Sequence, residues 1–159
     1  MSASLAIERV RAVLQDKGVE TEIVEFAQST RTAQEAADAI GTSVAQIVKS
    51  LVFVAGDKPV LALVSGANLA DTEKLAALLG VPVQRANART VRDATGFAIG
   101  GVPPVGHATS MVTFIDEDLL KYDELYAAAG TPHSVFRITP AELVRITDGQ
   151  VVQLAQQAS

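Results

Sequence analysis

Lys49 is the one cation in the apolar run Ile47 to Val54, IVKSLVFV, which reads as a buried strand. Taking an ammonium out of water without a partner is costly. Lys49 therefore reaches back to water, pairs with a carboxylate, or faces a cleft that receives an anion or a polarised carbonyl. The second candidate is the stretch Thr95 to His107, TGFAIGGVPPVGH. Its glycines let backbone approach a ligand closely, and the N–H groups of Gly100, Gly101 and Val102 can be aimed the same way. Pro103 and Pro104 carry no N–H and end that run of donors. A cation beside fixed N–H donors suits a developing oxyanion or a phosphate. The plainer readings stand beside these: a lysine on a half-buried strand, a structural glycine turn, and a His107 that hydrogen-bonds backbone near Gly106.

Other chemistries are poorly supplied. The chain has no Cys, which excludes a disulfide scaffold, a thiolate zinc site and a Cys nucleophile, and fits a cytoplasmic protein. The two histidines, His107 and His133, form no HxH or HExxH pattern, so no metal is expected. The glycine stretch is neither a Walker A sequence nor G-x-G-x-x-G, and no G-x-S-x-G elbow surrounds Ser65. Asp116, Glu117 and Asp118 suit the start of a helical turn better than general-acid work. The net charge of −5 argues against gripping long stretches of phosphate backbone, though a local basic cleft could hold one end of a nucleic acid. No apolar run is long enough to span a membrane, and the N-terminal stretch, with Glu8, Arg9 and Arg11, does not read as a signal peptide.

The elements that must position these groups are short and mixed. Apolar residues at helical spacing predict a helix over 3–17, with Gly18 after its end. Residues 19–26 alternate as a strand. Thr32 and Glu35 form a capping box for a helix ending at Gly41, and Ser43 caps one more turn. The strand 47–54 returns as 60–64 through a longer loop over 55–59, an antiparallel hairpin. Ser65 to Asn68 is a loop, Asp71 caps a helix through Leu79, and a short strand follows over 81–86, interrupted by Pro82. Asn87 opens a helix that ends before Gly96. Strands are expected over 111–115, 134–138 and 150–154, with 122–129 open between helix and strand. Thr139 and Glu142 form a second capping box, with Pro140 at the first helical position and the helix running to about Thr147. With no repeat or linker, the expectation is one α+β domain over 1–159 around a central mixed sheet.

The ordered set K-S-L-V-F after I-V, then L-V-S-G, then TGFAIGGVPPVGH resembles the YbaK/prolyl-tRNA editing-domain family of free-standing aminoacyl-tRNA deacylases. The resemblance runs from the first helix to Leu154. It implies a barrel-like mixed β-sheet flanked by short helices, and hydrolysis of the ester between a wrong amino acid and the 3′ end of a tRNA. The tRNA implied is one for proline, carrying Ala, Cys, Ser or Thr. The family's essential lysine maps onto Lys49, and its loop maps onto Gly101, Pro104, Gly106 and His107, beside Gly100 and Val102. Lys49, Gly100, Gly101 and Val102 become the expected catalytic groups. Thr32, Ser65, Gly66, Pro104, Gly106 and His107 become expected substrate contacts. Ala70 stands where a larger apolar residue is common. Water is then the nucleophile, assisted by the ribose hydroxyl next to the ester, with no cofactor. The implied partners are the 3′ end of aminoacylated tRNA and prolyl-tRNA synthetase. The competing readings are a non-catalytic tRNA- or synthetase-binding module, an esterase on small acyl metabolites, and a nucleotide-binding regulator.

Overall fold

The computed structural model describes residues 3–156, so the ends of the expected 1–159 span lie outside the described residues. Helix α1 (Ala3–Asp16) turns Ala6, Ile7, Val10 and Leu14 inward, at the spacing that marks it in the sequence. Strand β1 (Ile23–Glu25) follows, then α2 (Ala33–Ile40) with the full Thr32–Glu35 capping box and a left-handed Gly41. A 3-10 turn (Val44–Gln46) leads into β2 (Ile47–Ala55) and β3 (Lys58–Ser65). Next come α3 (Thr72–Leu79), β4 (Val83–Arg85), α4 (Ala88–Thr95), β5 (Val112–Asp116) and a 3-10 segment (Glu117–Lys121). Strands β6 (Leu125–Ala128) and β7 (Ser134–Ile138), helix α5 (Pro140–Thr147) and β8 (Gln150–Val152) complete the order.

The eight strands form one barrel-like mixed sheet in the order β1-β7-β6-β2-β3-β5-β8, with β4 also on β2. The fold is α+β, as the sequence implies. Strand β3 lies between β2 and β5 with both faces covered. Leu61 and Leu63 enter the main core with Val10, Phe97, Ile115 and Leu143, while Val60, Ala62 and Val64 enter a second core with Phe53, Leu75 and Phe114. Two-sided burial is why the strand reads as an unbroken apolar run.

Four expectations change in detail. The strand over 19–26 shrinks to Ile23–Glu25, because Val19 N–H still donates to Leu14 O at 2.9 Å to close α1, and β1 is an edge strand paired only with β7. The hairpin loop is tighter than expected: Ala55 pairs with Lys58, Gly56 sits at φ 63°, and Pro59 is already in the strand. Pro59 precedes the β5 pairing, which begins at Val60, so no ladder donor is lost there. The strand over 81–86 contracts to Val83–Arg85, after Pro82. The open stretch over 122–129 is strand β6, held between β2 and β7.

The feature that matters for a site is a break in the pairing of β2. Its β3 edge is paired from Val48 to Ala55. On the other edge β6 stops at Val48↔Ala127 and β4 begins at Phe53↔Arg85. Between them, Lys49 to Val52 has a strand on one side only. In an antiparallel ladder alternate residues send both backbone groups to the same neighbour. Val52 O uses this edge to accept from Ala86 N–H at 3.1 Å, so Ser50, two residues earlier, sends its N–H and C=O into the gap.

Gly66, just after β3, is a packing constraint: a Cβ there would lie 2.8 Å from Ala33 Cβ and would collide with Val44 O. Gly66→Ala should destabilise the protein by about 1–3 kcal/mol, as overpacking does, read as a lowered urea midpoint with an unchanged slope.

Candidate active site

A cavity of about 560 Å³ opens at the break in β2. Its floor is Lys49–Val52 and its walls include Ile47, Val102, Tyr126 and Val135. Among the described residues three cations line it, Arg31, Lys49 and Arg85, and no carboxylate or histidine does. Ser50 contributes a buried hydroxyl with no partner among the described residues.

Lys49 lies at mid-strand, on the face of β2 that carries Leu51 and Phe53. Its ammonium donates to the backbone carbonyl of Asn68, in the loop between β3 and α3. Burial pushes its pKa below the ordinary lysine value, and repulsion from Arg85 lowers it further. Arg85 ends β4, and its guanidinium carbon lies 5.5 Å from the centroid of the Phe53 ring. Arg31 precedes the capping residue of α2, and its stem crosses the face of Gly100, where a Cβ would collide with it. Gly100 also has φ 92°, so this position excludes side chains twice over.

The glycine loop divides into two halves. Gly100 and Val102 line the cavity, and neither N–H meets a protein acceptor among the described residues. Gly101 does not share that role: its N–H donates to Ala98 O at 3.0 Å, and a Cβ would lie 2.8 Å from Thr131 Cα. Of the three expected donors, two are thus left without a protein acceptor, and Gly101 is glycine because backbone passes against it. Pro104, Gly106 and His107 do not line the cavity, and Gly106 and His107 lie beside α1. A Cβ on Gly106 would touch Val13, and His107 Nε2 lies 2.7 Å from Pro103 O. Burial lowers the His107 pKa, against the opposing pull of the Pro103 carbonyl, and nearby Arg9 lowers it further. His107 is thus bonded to its own loop's backbone, in surroundings that disfavour its charged form.

The remaining expected contacts separate in the same way. Thr32 lines the cavity, but its hydroxyl accepts from Glu35 N–H at 3.1 Å as the cap of α2. Ser65 is buried away from the cavity; its hydroxyl donates to Ala45 O at 2.7 Å. Gly66 fills no part of the cavity wall and packs on Ala33 and Ile47. The sequence reading missed Arg31, Arg85 and Asn68. Arg85 had a signal, since Gln84 to Arg92 holds three arginines and no acid in a chain of net charge −5. Among the described residues no group of His, Asp and Glu is arranged to hold a metal, and no helix is long and apolar enough to cross a membrane.

A family model described as an aminoacyl-tRNA editing domain matches residues 27–146. The chain is 30% identical over 148 residues to "Uncharacterized protein YwhH" of Bacillus subtilis (strain 168), covering 92% of this chain and 94% of that one. It is 29% identical over 126 residues to an Enterococcus faecalis (strain ATCC 700802 / V583) protein named "Putative Cys-tRNA(Pro)/Cys-tRNA(Cys) deacylase EbsC", covering 77% and 76%. A solved structure described as "a putative trans-editing enzyme for prolyl tRNA synthetase" superposes with a TM-score of 0.92 at 50% identity, over 98% of this chain and all of that one.

The depressed pKa of Lys49 gives a signed prediction. A lysine less basic folded than unfolded penalises the folded state wherever it is charged, and the penalty fades as pH rises through the folded pKa toward the unfolded value. Lys49→Met should keep or raise the thermal midpoint at pH 7. Arg85→Gln should raise the Lys49 pKa, because it removes the like charge, as read by nitrogen NMR titration of the ammonium. Gly101→Ala should lower the thermal midpoint, because its collision is with Thr131 backbone.

Proposed function

The chain belongs to the aminoacyl-tRNA editing domain family, and on that premise we propose that it is a trans-acting aminoacyl-tRNA deacylase. Its substrate is a mischarged tRNA, in the first instance tRNA for proline carrying Ala, Cys, Ser or Thr. It works in the cytoplasm alongside prolyl-tRNA synthetase, with the whole span 1–159 acting as one editing unit. The observation that carries this reading is the charge of the cavity: three cations and no anion among the described residues that line it, in a chain of net charge −5. Such a cavity attracts anions and suits the phosphates at the 3′ end of a polynucleotide.

The roles follow from chemistry. Arg31 and Arg85, at the exposed rim, hold terminal phosphates, and Arg is suited to do so through a fork of donors. Lys49 holds a substrate oxygen or the last phosphate as a point charge. The free N–H groups of Gly100 and Val102 face the ester carbonyl, where negative charge grows as water adds. The tetrahedral species then collapses by breaking the bond to the ribose oxygen, which takes a proton and leaves as a hydroxyl. The products are a free amino acid and an uncharged tRNA.

No side chain of the cavity suits the base role except Lys49, and an adjacent phosphate keeps that ammonium charged. The ribose hydroxyl next to the ester is therefore the group that holds and orients the attacking water, and positioning does the rest. The second reading is a non-catalytic module that binds tRNA or synthetase. A cationic cavity supports both, and the unengaged N–H pair at Gly100 and Val102 favours turnover.

A panel of tRNAs charged with Ala, Ser, Thr, Cys or Pro tests the reading; if none is released above the uncatalysed rate, the protein is a binding module. Lys49→Ala should lower kcat/KM by roughly 10²–10³-fold, the usual effect of removing one strong electrostatic contact, in a protein that stays folded. His107→Ala should cost no more than about tenfold, below the ~10²–10⁴ expected for a general base. Replacing the neighbouring ribose hydroxyl with hydrogen should cost far more than that. Full turnover of the deoxy substrate by wild type, with a dead His107→Ala enzyme, would reverse the assignment.

A further inference from the structure

Lys49 is oriented by a backbone carbonyl in a loop, and loops are ordinarily poor supports for a precisely placed charge. This loop is unusually tied down. The Asn68 side-chain amide donates to Asp118 Oδ2 at 2.8 Å and reaches Asp116 Oδ2 at 3.4 Å. Carboxylates only accept, so the amide nitrogen, not its oxygen, faces them. Asp116 is fully buried at the end of β5, and its other oxygen accepts from Leu154 N–H at 2.8 Å and Ala155 N–H at 3.3 Å. Those two residues are stitched back onto the same loop. Asp71 N–H donates to Leu154 O at 2.7 Å, Lys74 Nζ donates to Ala155 O at 2.7 Å, and Gln156 N–H donates to Leu69 O at 2.9 Å. Asp118 is held in turn by Lys121 at 2.7 Å.

We propose that Asn68 is the positioning residue of the site: its side chain, gripped by Asp118 and Asp116, fixes the carbonyl that aims the Lys49 ammonium into the cavity. The inference rests on the reading of Lys49 as the group that meets substrate. An ammonium has three donors. One is used on Asn68 O, which leaves the other two directed at the substrate. Without the grip, the loop and the flexible lysine lose their common geometry while the charge itself remains. Asn68 touches no reacting atom in this account. Its effect passes through Lys49.

The test uses the full chain with two variants. Asn68→Ala removes the amide. Asn68→Asp keeps its shape but replaces the donor with a third carboxylate beside two others. The first readout is the slow-exchanging ammonium signal of Lys49 in nitrogen–proton NMR, identified by its loss in Lys49→Met. Both Asn68 variants should lose that signal while keeping the backbone spectrum of a folded protein. The second readout is turnover of mischarged tRNA, where kcat should fall by roughly 10- to 100-fold and KM should stay within about twofold, as expected for misplacement of a reacting group. Retention of the ammonium signal in Asn68→Ala would overturn the proposal, and so would its loss with undiminished kcat. If Asn68→Ala does not fold, Asn68→Asp decides by the same two readouts. A wild-type protein that releases no amino acid would refute the deacylase reading, while the ammonium signal would still decide whether Asn68 holds Lys49.

Discussion

The site depends on a strand left half paired. Lys49 to Val52 has β3 on one side and an opening on the other, where β6 has ended and β4 has not begun. Backbone polar groups left without partners are tolerated where water or a ligand can reach them. The same opening lets an ammonium sit in the middle of an apolar strand without being sealed in the core. Everything else at the site bears on that opening: Arg85 arrives because β4 resumes the pairing, Tyr126 because β6 ends it, and the glycine loop because it crosses the rim.

The glycine loop solves two packing problems at once, and its residue types divide accordingly. Gly100 is glycine because its φ is 92° and because the stem of Arg31 lies across it. Gly101 is glycine because Thr131 backbone is there. The later half, through Gly106 and His107, anchors the loop on α1, with the Arg9 guanidinium carbon 5.3 Å from the centroid of the Phe97 ring nearby. An anchor on one side restrains the backbone on the other, which is what the two N–H groups proposed as donors require.

The local parts of the fold were legible in the sequence because they are set by local chemistry. Both capping boxes, the Asp71 and Asn87 caps and the glycines that end α2, α3 and α4 all occur where the residue pattern puts them. The β2–β3 hairpin was legible for the same reason. Strand ends were not, because the length of β1 or β8 depends on how far a distant partner extends. The site was legible where one residue type is anomalous, as Lys49 is, and illegible where function depends on direction. Nothing in GGVPP tells which glycine N–H is consumed by Ala98, and Ser65 looks the same in sequence whether its hydroxyl faces a ligand or Ala45. Asn68 was invisible because it acts through its carbonyl and through two carboxylates about fifty residues away.

The stitching of residues 154–156 onto the Asn68–Asp71 loop also bears on when the site comes into being. The β2–β3 hairpin is local and can pair as soon as it has been made, whereas β5 joins β3, and β8 joins β5, in parallel across long intervals of chain. Contacts of such separation form late, since loop closure must precede them. During synthesis, Lys49 is therefore present more than a hundred residues before the segment that completes its support. A nascent chain carries the lysine and the glycine loop but not yet a fixed geometry between them. The support of Lys49 is complete only when residues 154–156, just beyond β8, are in place, so in a partly made chain the lysine is present before its geometry is.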